Sequence, residues 1–303
     1  MNIFIAGMEK CGTTTLADWL VKNNFADYLV PNIKEPYIYA SEGQNLNSYI
    51  RIGPPLLDAS VWYSLNSSAI AKMPESNTKI IICFRNQFER TWSSYKFKKI
   101  AVKHQEAAGL LLDGFPTQSE SSKYYQADDL LGYLKFITKA HYPTKLNQYV
   151  EKYFQSEVEN LLMQSFEERI KYEISFFSKI GHGPFLSILE SSFYTFPLKN
   201  ILTKFTNEDI TLVSVNKLSA SESLRASLVS RIFGSSKPTP QIEQEFSSKK
   251  FSIDEDMPNF KDARWNFLRS FFQDDLIALN NLVLENTLTE EFIDRDELTK
   301  YLI

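Results

Sequence analysis

The strongest constraint on the fold is an apolar run near the N-terminus that ends in glycine. Residues 2–7 read NIFIAG, the loop MEKCG follows, and the next segment places Leu16, Trp19 and Leu20 at helical spacing. A buried strand, a glycine-containing loop and a helix are therefore predicted at the start of the chain. This order of elements is typical of α/β proteins, in which helices cover a parallel sheet.

Two later segments have the composition of buried parallel strands, namely residues 79–84 (KIIICF) and 210–215 (ITLVSV). Helical patterns lie between the three apolar runs, and a crossover between parallel strands needs roughly a dozen residues or more. The sequence therefore predicts an α/β fold of three layers, with a central parallel sheet flanked by helices.

The 303 residues are predicted to form a single domain, 1–303, with a largely helical insert at about 100–180. Within this insert, residues from about 145 carry apolar side chains every three or four positions without Pro or Gly, which predicts a long helix or a helical pair. The polar segments 113–126 and 234–259 predict loops, and residues 260–286 predict an amphipathic helix.

Composition excludes several classes of protein. A net charge of -4 argues against a nucleic-acid partner bound through a broad basic surface. Two cysteines and three scattered histidines give no spacing typical of a metal site. The chain has neither a basic leader nor a run of about 20 apolar residues, so we expect a cytoplasmic protein without an integral membrane segment.

The loop after the first strand has the features of an anion-binding site. Gly7 and Gly12 are spaced as in the nucleotide loop G-x-x-x-x-G-K-[ST], but Thr13 occupies the lysine position and Lys10 lies inside the loop. Unpaired N–H groups and the dipole at a helix N-terminus still favour negative charge. We expect a P-loop-like element that binds phosphate without hydrolysing a nucleoside triphosphate.

A second anion site is predicted after the strand at 79–84. Arg85 stands where a triphosphatase often has an acidic residue that organises magnesium. Ser93 follows eight positions later, in a segment with a helical pattern. Two anion sites without a metal indicate a ligand with separated phosphates.

The two motifs together resemble those of sulfotransferases that use 3′-phosphoadenosine-5′-phosphosulfate (PAPS). K-x-G-T-T-[ST] follows the first strand, and R-N-x-x-E-R-x-x-S-x-Y follows the later one. The resemblance implies that the 5′-phosphosulfate is bound by Lys10, Gly12, Thr13, Thr14 and Thr15. It implies that the 3′-phosphate is bound by Arg85 and Ser93, and that a late basic loop with Lys249 and Lys250 covers the adenine and this phosphate.

Three further segments resemble family motifs in the same order: KEPYIYA at 34–40, LLDASVWY at 56–63 and HGPFLSILESSFYTFP at 182–197. The resemblance implies that Glu35 is the general base and that Lys10 stabilises the leaving oxygen. It places Lys34, Asp58 and Ser60 on the acceptor side. Glu35 and Lys34 also fit a solvated surface, and Asp58 and Ser60 also fit a simple turn.

The resemblance implies an enzyme of the carbohydrate sulfotransferase type. PAPS is then the co-substrate, 3′,5′-adenosine bisphosphate (PAP) the product, and the acceptor a hydroxyl of a carbohydrate or glycolipid. A cytoplasmic, bacterial enzyme fits the sequence. Two alternatives stay open: a divergent P-loop kinase or NTPase, and a catalytically silent nucleotide-binding subunit. The basic cluster Lys98, Lys99, Lys103 and His104 is expected on a solvated helix face.

Overall fold

The computed structural model describes residues 1–40, 53–103, 124–125, 127, 130–142, 146–234, 238–243 and 253–302. Within these residues the strands are β1 (Asn2–Gly7), β2 (Asp27–Tyr28), β3 (Leu56–Asp58), β4 (Thr78–Cys83) and β5 (Ile210–Val213). They form one parallel sheet in the order β2-β3-β1-β4-β5. The prediction of an α/β fold with a central parallel sheet is confirmed.

Helices follow most of the strands. In chain order they are α1 (Thr13–Lys22), α2 (Ser67–Lys72), α3 (Gln87–Lys103), α4 (Leu130–His141), α5 (Asn147–Met163), α6 (Phe166–Ile180), α7 (Thr195–Leu202), α8 (Val215–Ala220), α9 (Glu222–Phe233), α10 (Asn266–Glu285) and α11 (Arg295–Thr299). None of the helices that the structure describes is long and apolar enough to cross a membrane.

Two of the three predicted strands, β1 and β4, lie inside the sheet, and the third, β5, lies at its edge. Every residue of β1 after Asn2 is buried, and so is every residue of β5. β1 lies between β3 and β4, with Phe4 level with Asp58 on one side and with Ile80 on the other. Helices cover both faces of such a sheet, which explains why apolar and polar residues do not alternate along these strands.

The segment at about 145–180 is a helical pair, α5 and α6. The first helix ends before Gln164, and Ser165 caps the second with a reciprocal capping box to Glu168. Gly181 ends α6 with φ of 83°, a left-handed conformation that glycine adopts without strain. The described helices α4, α5 and α6 therefore lie, in chain order, between β4 and β5.

A buried ionic network joins this helical pair to the segment that follows it. Arg169 donates to Glu173 at 2.6 Å and to Glu157 at 3.1 Å, and neither its own side chain nor that of Glu173 is exposed. The Glu173 carboxylate also accepts the backbone N–H groups of Ile188 and Leu189. Removing one partner of such a network leaves an uncompensated buried charge, so the network fixes the path of this segment.

The carboxyl ends of the strands meet at one edge of the sheet. β1 connects through α1 toward β2 on one side, whereas β4 leads toward β5 on the other, so the strand order reverses between β1 and β4. Open α/β sheets bind ligands at such a reversal. The loop after β1 and the residue Arg85 after β4 flank this position.

Candidate functional site

The loop after β1 leaves the N-terminus of α1 open. Gly12 has φ of 85°, and a Cβ atom there would lie 3.0 Å from the side chain of Val215. Both features require glycine. No side chain caps α1, and within the described residues no acceptor bonds the backbone N–H groups of Gly12, Thr13, Thr14 or Thr15. Unpaired donors of this kind and the helix dipole favour a bound anion.

Lys10 lies half-buried in this loop, in a left-handed conformation with φ of 65°. Its Nζ lies 4.2 Å from the centre of the Phe97 ring, on α3. Burial lowers the pKa of Lys10 to about 8; the neighbouring carboxylate of Glu9 opposes this shift, and the positive charges of Arg85, Lys34 and Lys98 add to it. The Lys10 ammonium therefore lies in a positively charged environment. An anionic ligand bound there would stabilise the charged form of Lys10.

Glu9 connects the loop after β1 to helix α3. Its carboxylate lies 3.1 Å from Nζ of Lys98 and 3.9 Å from Arg90, both on α3. Burial opposes ionisation of Glu9, but the charges of Lys98 and Arg90 outweigh it and keep its pKa below the ordinary value.

The basic cluster on α3 was expected on a solvated helix face. This prediction was wrong for Lys98 and Lys99, because both side chains are buried. Lys99 pairs with Glu255 at 3.2 Å. His104 lies outside the described residues.

Arg85 follows β4 at the same edge of the sheet. Its Nη2 lies 3.2 Å from the carboxylate of Glu89, and within the described residues its buried Nε has no partner. Ser93 is half-buried one helical turn beyond Glu89 on α3, so the two residues lie on the same face of the helix. Lys249 and Lys250, predicted to cover this site, lie outside the described residues.

The segment 182–197 contacts both of the motifs that are predicted to bind anions. The hydroxyl of Tyr194 donates to the carbonyl of Arg85 at 2.6 Å and lies 3.7 Å from Sγ of Cys11. Nε of Arg90 donates to Oγ of Ser192 at 2.6 Å. These contacts fix the loop after β1 and the start of α3 against one another.

Glu35 is buried, with 5% of its surface exposed, so it is not a surface residue. Lys34 donates to Oε1 of Glu35, and the hydroxyls of Tyr37 and Tyr133 donate to Oε2 at 2.8 and 3.0 Å. A third tyrosine, Tyr125, donates to the Glu35 carbonyl at 3.3 Å. Two of these tyrosines come from the region between β4 and β5, and the sequence carries no local signal for a contact that spans so many residues.

Asp58 ends β3 beside this cluster. Oδ1 accepts the N–H and the hydroxyl of Ser60 at 3.0 and 2.6 Å, and Oδ2 accepts the hydroxyl of Tyr63 at 2.8 Å. Burial raises the pKa of Asp58 to about 7, against these hydrogen bonds and with a contribution from the negative charge of Glu35. The backbone N–H of Tyr37 donates to Oγ of Ser60 at 2.9 Å, so this turn also braces the Glu35 segment.

A small cleft adjoins the same region, and the sequence patterns did not indicate it. Trp62, His141 and Glu190 line it. Within the described residues, Nε1 of Trp62 and Nδ1 of His141 have no hydrogen-bond partner. Burial lowers the pKa of His141 to about 4 and raises that of Glu190, so their uncharged forms are favoured. Among the described residues there is no cluster of His, Cys, Asp or Glu that would hold a metal ion.

No protein-family model matches the chain, and no curated protein matches its sequence. The structure is similar to the crystal structure of a sulfotransferase from Alicyclobacillus acidocaldarius, with a TM-score of 0.55 and 16% sequence identity. The similarity covers 93% of this chain and 95% of that one, so it includes the helices as well as the sheet. The chain therefore has the α/β fold that this sulfotransferase adopts.

Proposed function

We propose that the protein is a PAPS-dependent sulfotransferase. The observation that carries the proposal is the pair of cationic sites at the carboxyl ends of neighbouring strands: Lys10 with the N–H groups of α1 after β1, and Arg85 after β4. This pair suits a nucleotide with one anionic group on each side of its ribose. The fold shared with a known sulfotransferase supports the same assignment.

The residues present fit the donor. The N–H groups of α1 and the hydroxyls of Thr13, Thr14 and Thr15 would hold the 5′-phosphosulfate, and Gly12 allows its close approach. Arg85 and Ser93 would hold the 3′-phosphate, in place of the contact between Arg85 and Glu89. The ammonium of Lys10 would stabilise the oxygen that leaves with the 5′-phosphate.

The reaction moves a sulfuryl group between two oxygens. An acceptor oxygen forms a new S–O bond as the S–O bond to the 5′-phosphate breaks, and the released product is PAP. The acceptor hydroxyl must also lose its proton, and Glu35 is the proposed general base. Its Oε2 already accepts two tyrosine hydroxyls, so an acceptor hydroxyl that displaces one of them would make a hydrogen bond of the same kind.

We further propose that the acceptor is a hydroxyl of a carbohydrate or glycolipid. Lys34, Asp58 and Ser60 would shape its site, because their hydrogen bonds fix Glu35 and the turn beside it. We propose one catalytic domain over residues 1–303, acting as a cytoplasmic bacterial enzyme without a metal.

The test is transfer of labelled sulfate from PAPS to a panel of oligosaccharides and glycolipids, with wild type compared with Glu35→Gln. We expect transfer by the wild type to at least one acceptor class, and loss of transfer by the variant with PAP binding intact. PAP binding without transfer to any acceptor would indicate a silent nucleotide-binding subunit.

A further inference from the structure

The side chain of Lys10 has an unusual set of neighbours. Within the described residues it makes no hydrogen bond and no ion pair, and its Nζ lies 4.2 Å from the centre of the Phe97 ring. The carboxylate of Glu9, whose charge acts on Lys10, is engaged by Lys98 at 3.1 Å and by Arg90 at 3.9 Å. Among the residues that the structure describes, the face of an aromatic ring is therefore the contact given to the Lys10 ammonium.

Phe97 occupies a defined position on α3. Glu89, Ser93 and Phe97 follow one another at intervals of four residues, so they form one row along the helix. Arg85 contacts Glu89 at one end of the row, and Lys10 contacts Phe97 at the other. The two contacts are separated by about 12 Å along the helix axis. A single helix face therefore meets the cations of both anion sites.

We propose that Phe97 is a positioning residue for Lys10, which holds the ammonium at the open N-terminus of α1 in readiness for the phosphosulfate of the donor. This inference rests on the proposed sulfotransferase function. The ring attracts the cation without supplying a negative charge. A carboxylate at this place would neutralise Lys10 and repel the donor, whereas an aromatic face leaves the full charge available to it.

The contact between Lys10 and Phe97 should affect the pKa of Lys10, which can be measured without the donor. A cation over a ring is stabilised relative to the neutral amine. The pKa of Lys10 is about 8 with the ring in place, so removal of the ring should lower it from that value. A contact of ordinary strength corresponds to about a threefold change in the protonation constant, or roughly half a pKa unit. Phe97 is only partly buried, so its replacement is not expected to unfold the protein.

The experiment compares wild type, Phe97→Leu and Phe97→Tyr, with Tyr153→Leu as a control. Tyr153 forms a similar contact with Lys152, at 5.0 Å, but lies exposed on α5. The pKa of Lys10 is measured from the pH dependence of its acetylation by mass spectrometry. PAP affinity is measured by calorimetry, and kcat and KM for PAPS by sulfate transfer.

We expect Phe97→Leu to lower the Lys10 pKa by about half a unit and to reduce kcat about threefold, with Phe97→Tyr close to wild type. Tyr153→Leu should change neither quantity. An unchanged Lys10 pKa and kcat in Phe97→Leu, in a protein that binds PAP, would overturn the inference alone. Failure of the wild type to bind PAP would instead refute the proposed function.

Discussion

The carboxylate of Glu89 contacts the guanidinium of Arg85, with 3.2 Å between Oε2 and Nη2. The same carboxylate accepts hydrogen bonds from Lys300 at 2.8 Å and from Tyr301 at 3.2 Å. Burial opposes ionisation of Glu89, but these contacts outweigh it and keep its pKa below the ordinary value. The carboxylate of Glu89 thus lies where we propose that the 3′-phosphate binds. Arg85 must therefore give up its contact with Glu89 when the nucleotide binds.

Replacing Arg85 with Ala should remove the preference for a 3′-phosphate. Charge-assisted hydrogen bonds contribute about 1.5–3 kcal/mol, so PAP affinity should fall roughly 10-fold to 150-fold. The affinity for 5′-AMP, which lacks the 3′-phosphate, should change by no more than about twofold. Calorimetry with both nucleotides measures the ratio. An equal loss for PAP and AMP would show that Arg85 does not contact the 3′-phosphate.

Glu89→Gln is the matched control for that experiment. It removes the negative charge that competes for Arg85 but keeps the size of the side chain, so PAP affinity should stay the same or rise. A tenfold loss of PAP affinity in this variant would mean that Glu89 helps to build the site rather than competing with the ligand.

Nucleotide binding should weaken at alkaline pH because Lys10 loses its charge. Burial lowers the pKa of Lys10 to about 8, so the free protein carries the ammonium below that pH and the neutral amine above it. PAP affinity should therefore be constant well below pH 8 and fall by up to about tenfold per pH unit above it, for one linked proton. Calorimetry across this range checks the slope. In Lys10→Met the affinity should be lower and independent of pH over the same interval.

Replacing Glu35 with Gln should remove most of the sulfate transfer because it removes the proposed general base. The amide keeps the size of the side chain, and the donors that hold the carboxylate, Lys34, Tyr37 and Tyr133, stay in the protein. In Glu35→Gln, transfer should fall about 100-fold to 10,000-fold. Transfer by that variant at the wild-type rate would exclude Glu35 as the base.

The buried pair on α6 should stabilise the fold far more than the exposed pair on the same helix. Glu173→Gln leaves Arg169 partly uncompensated in a site without exposure, which should lower the free energy of unfolding by about 3 kcal/mol. Glu167→Gln breaks the exposed contact with Lys171, which should cost only about 0.3–0.5 kcal/mol. Urea unfolding of the two variants gives the comparison. Equal losses would contradict the assigned role of the buried network.

Three strands of the sheet were predictable because their sequence signals are local. β1, β4 and β5 are continuous apolar runs, and the loop between Gly7 and Gly12 carries its own motif. By contrast, β2 and β3 contain two and three residues, too few for a periodic pattern. Their place in the sheet is set by the pairing of β3 with β1 and of β2 with β3, which a local pattern does not encode.

The candidate site was predictable only as a set of motifs. The sequence indicated Lys10, Arg85 and Glu35, but not their surroundings. A lysine on a helix normally projects into solvent, so the burial of Lys98 against Glu9 contradicts the local expectation. The tyrosine contacts of Glu35 and the ring beneath Lys10 depend on tertiary packing between distant segments.

The most direct test of the account is calorimetric titration of the wild type and Lys10→Ala with PAP, and of the wild type with ATP and magnesium. We predict tight binding of PAP without a metal, weaker binding by Lys10→Ala, and little affinity for magnesium ATP. A preference for magnesium ATP over PAP would contradict the sulfotransferase proposal and favour a divergent P-loop kinase or NTPase.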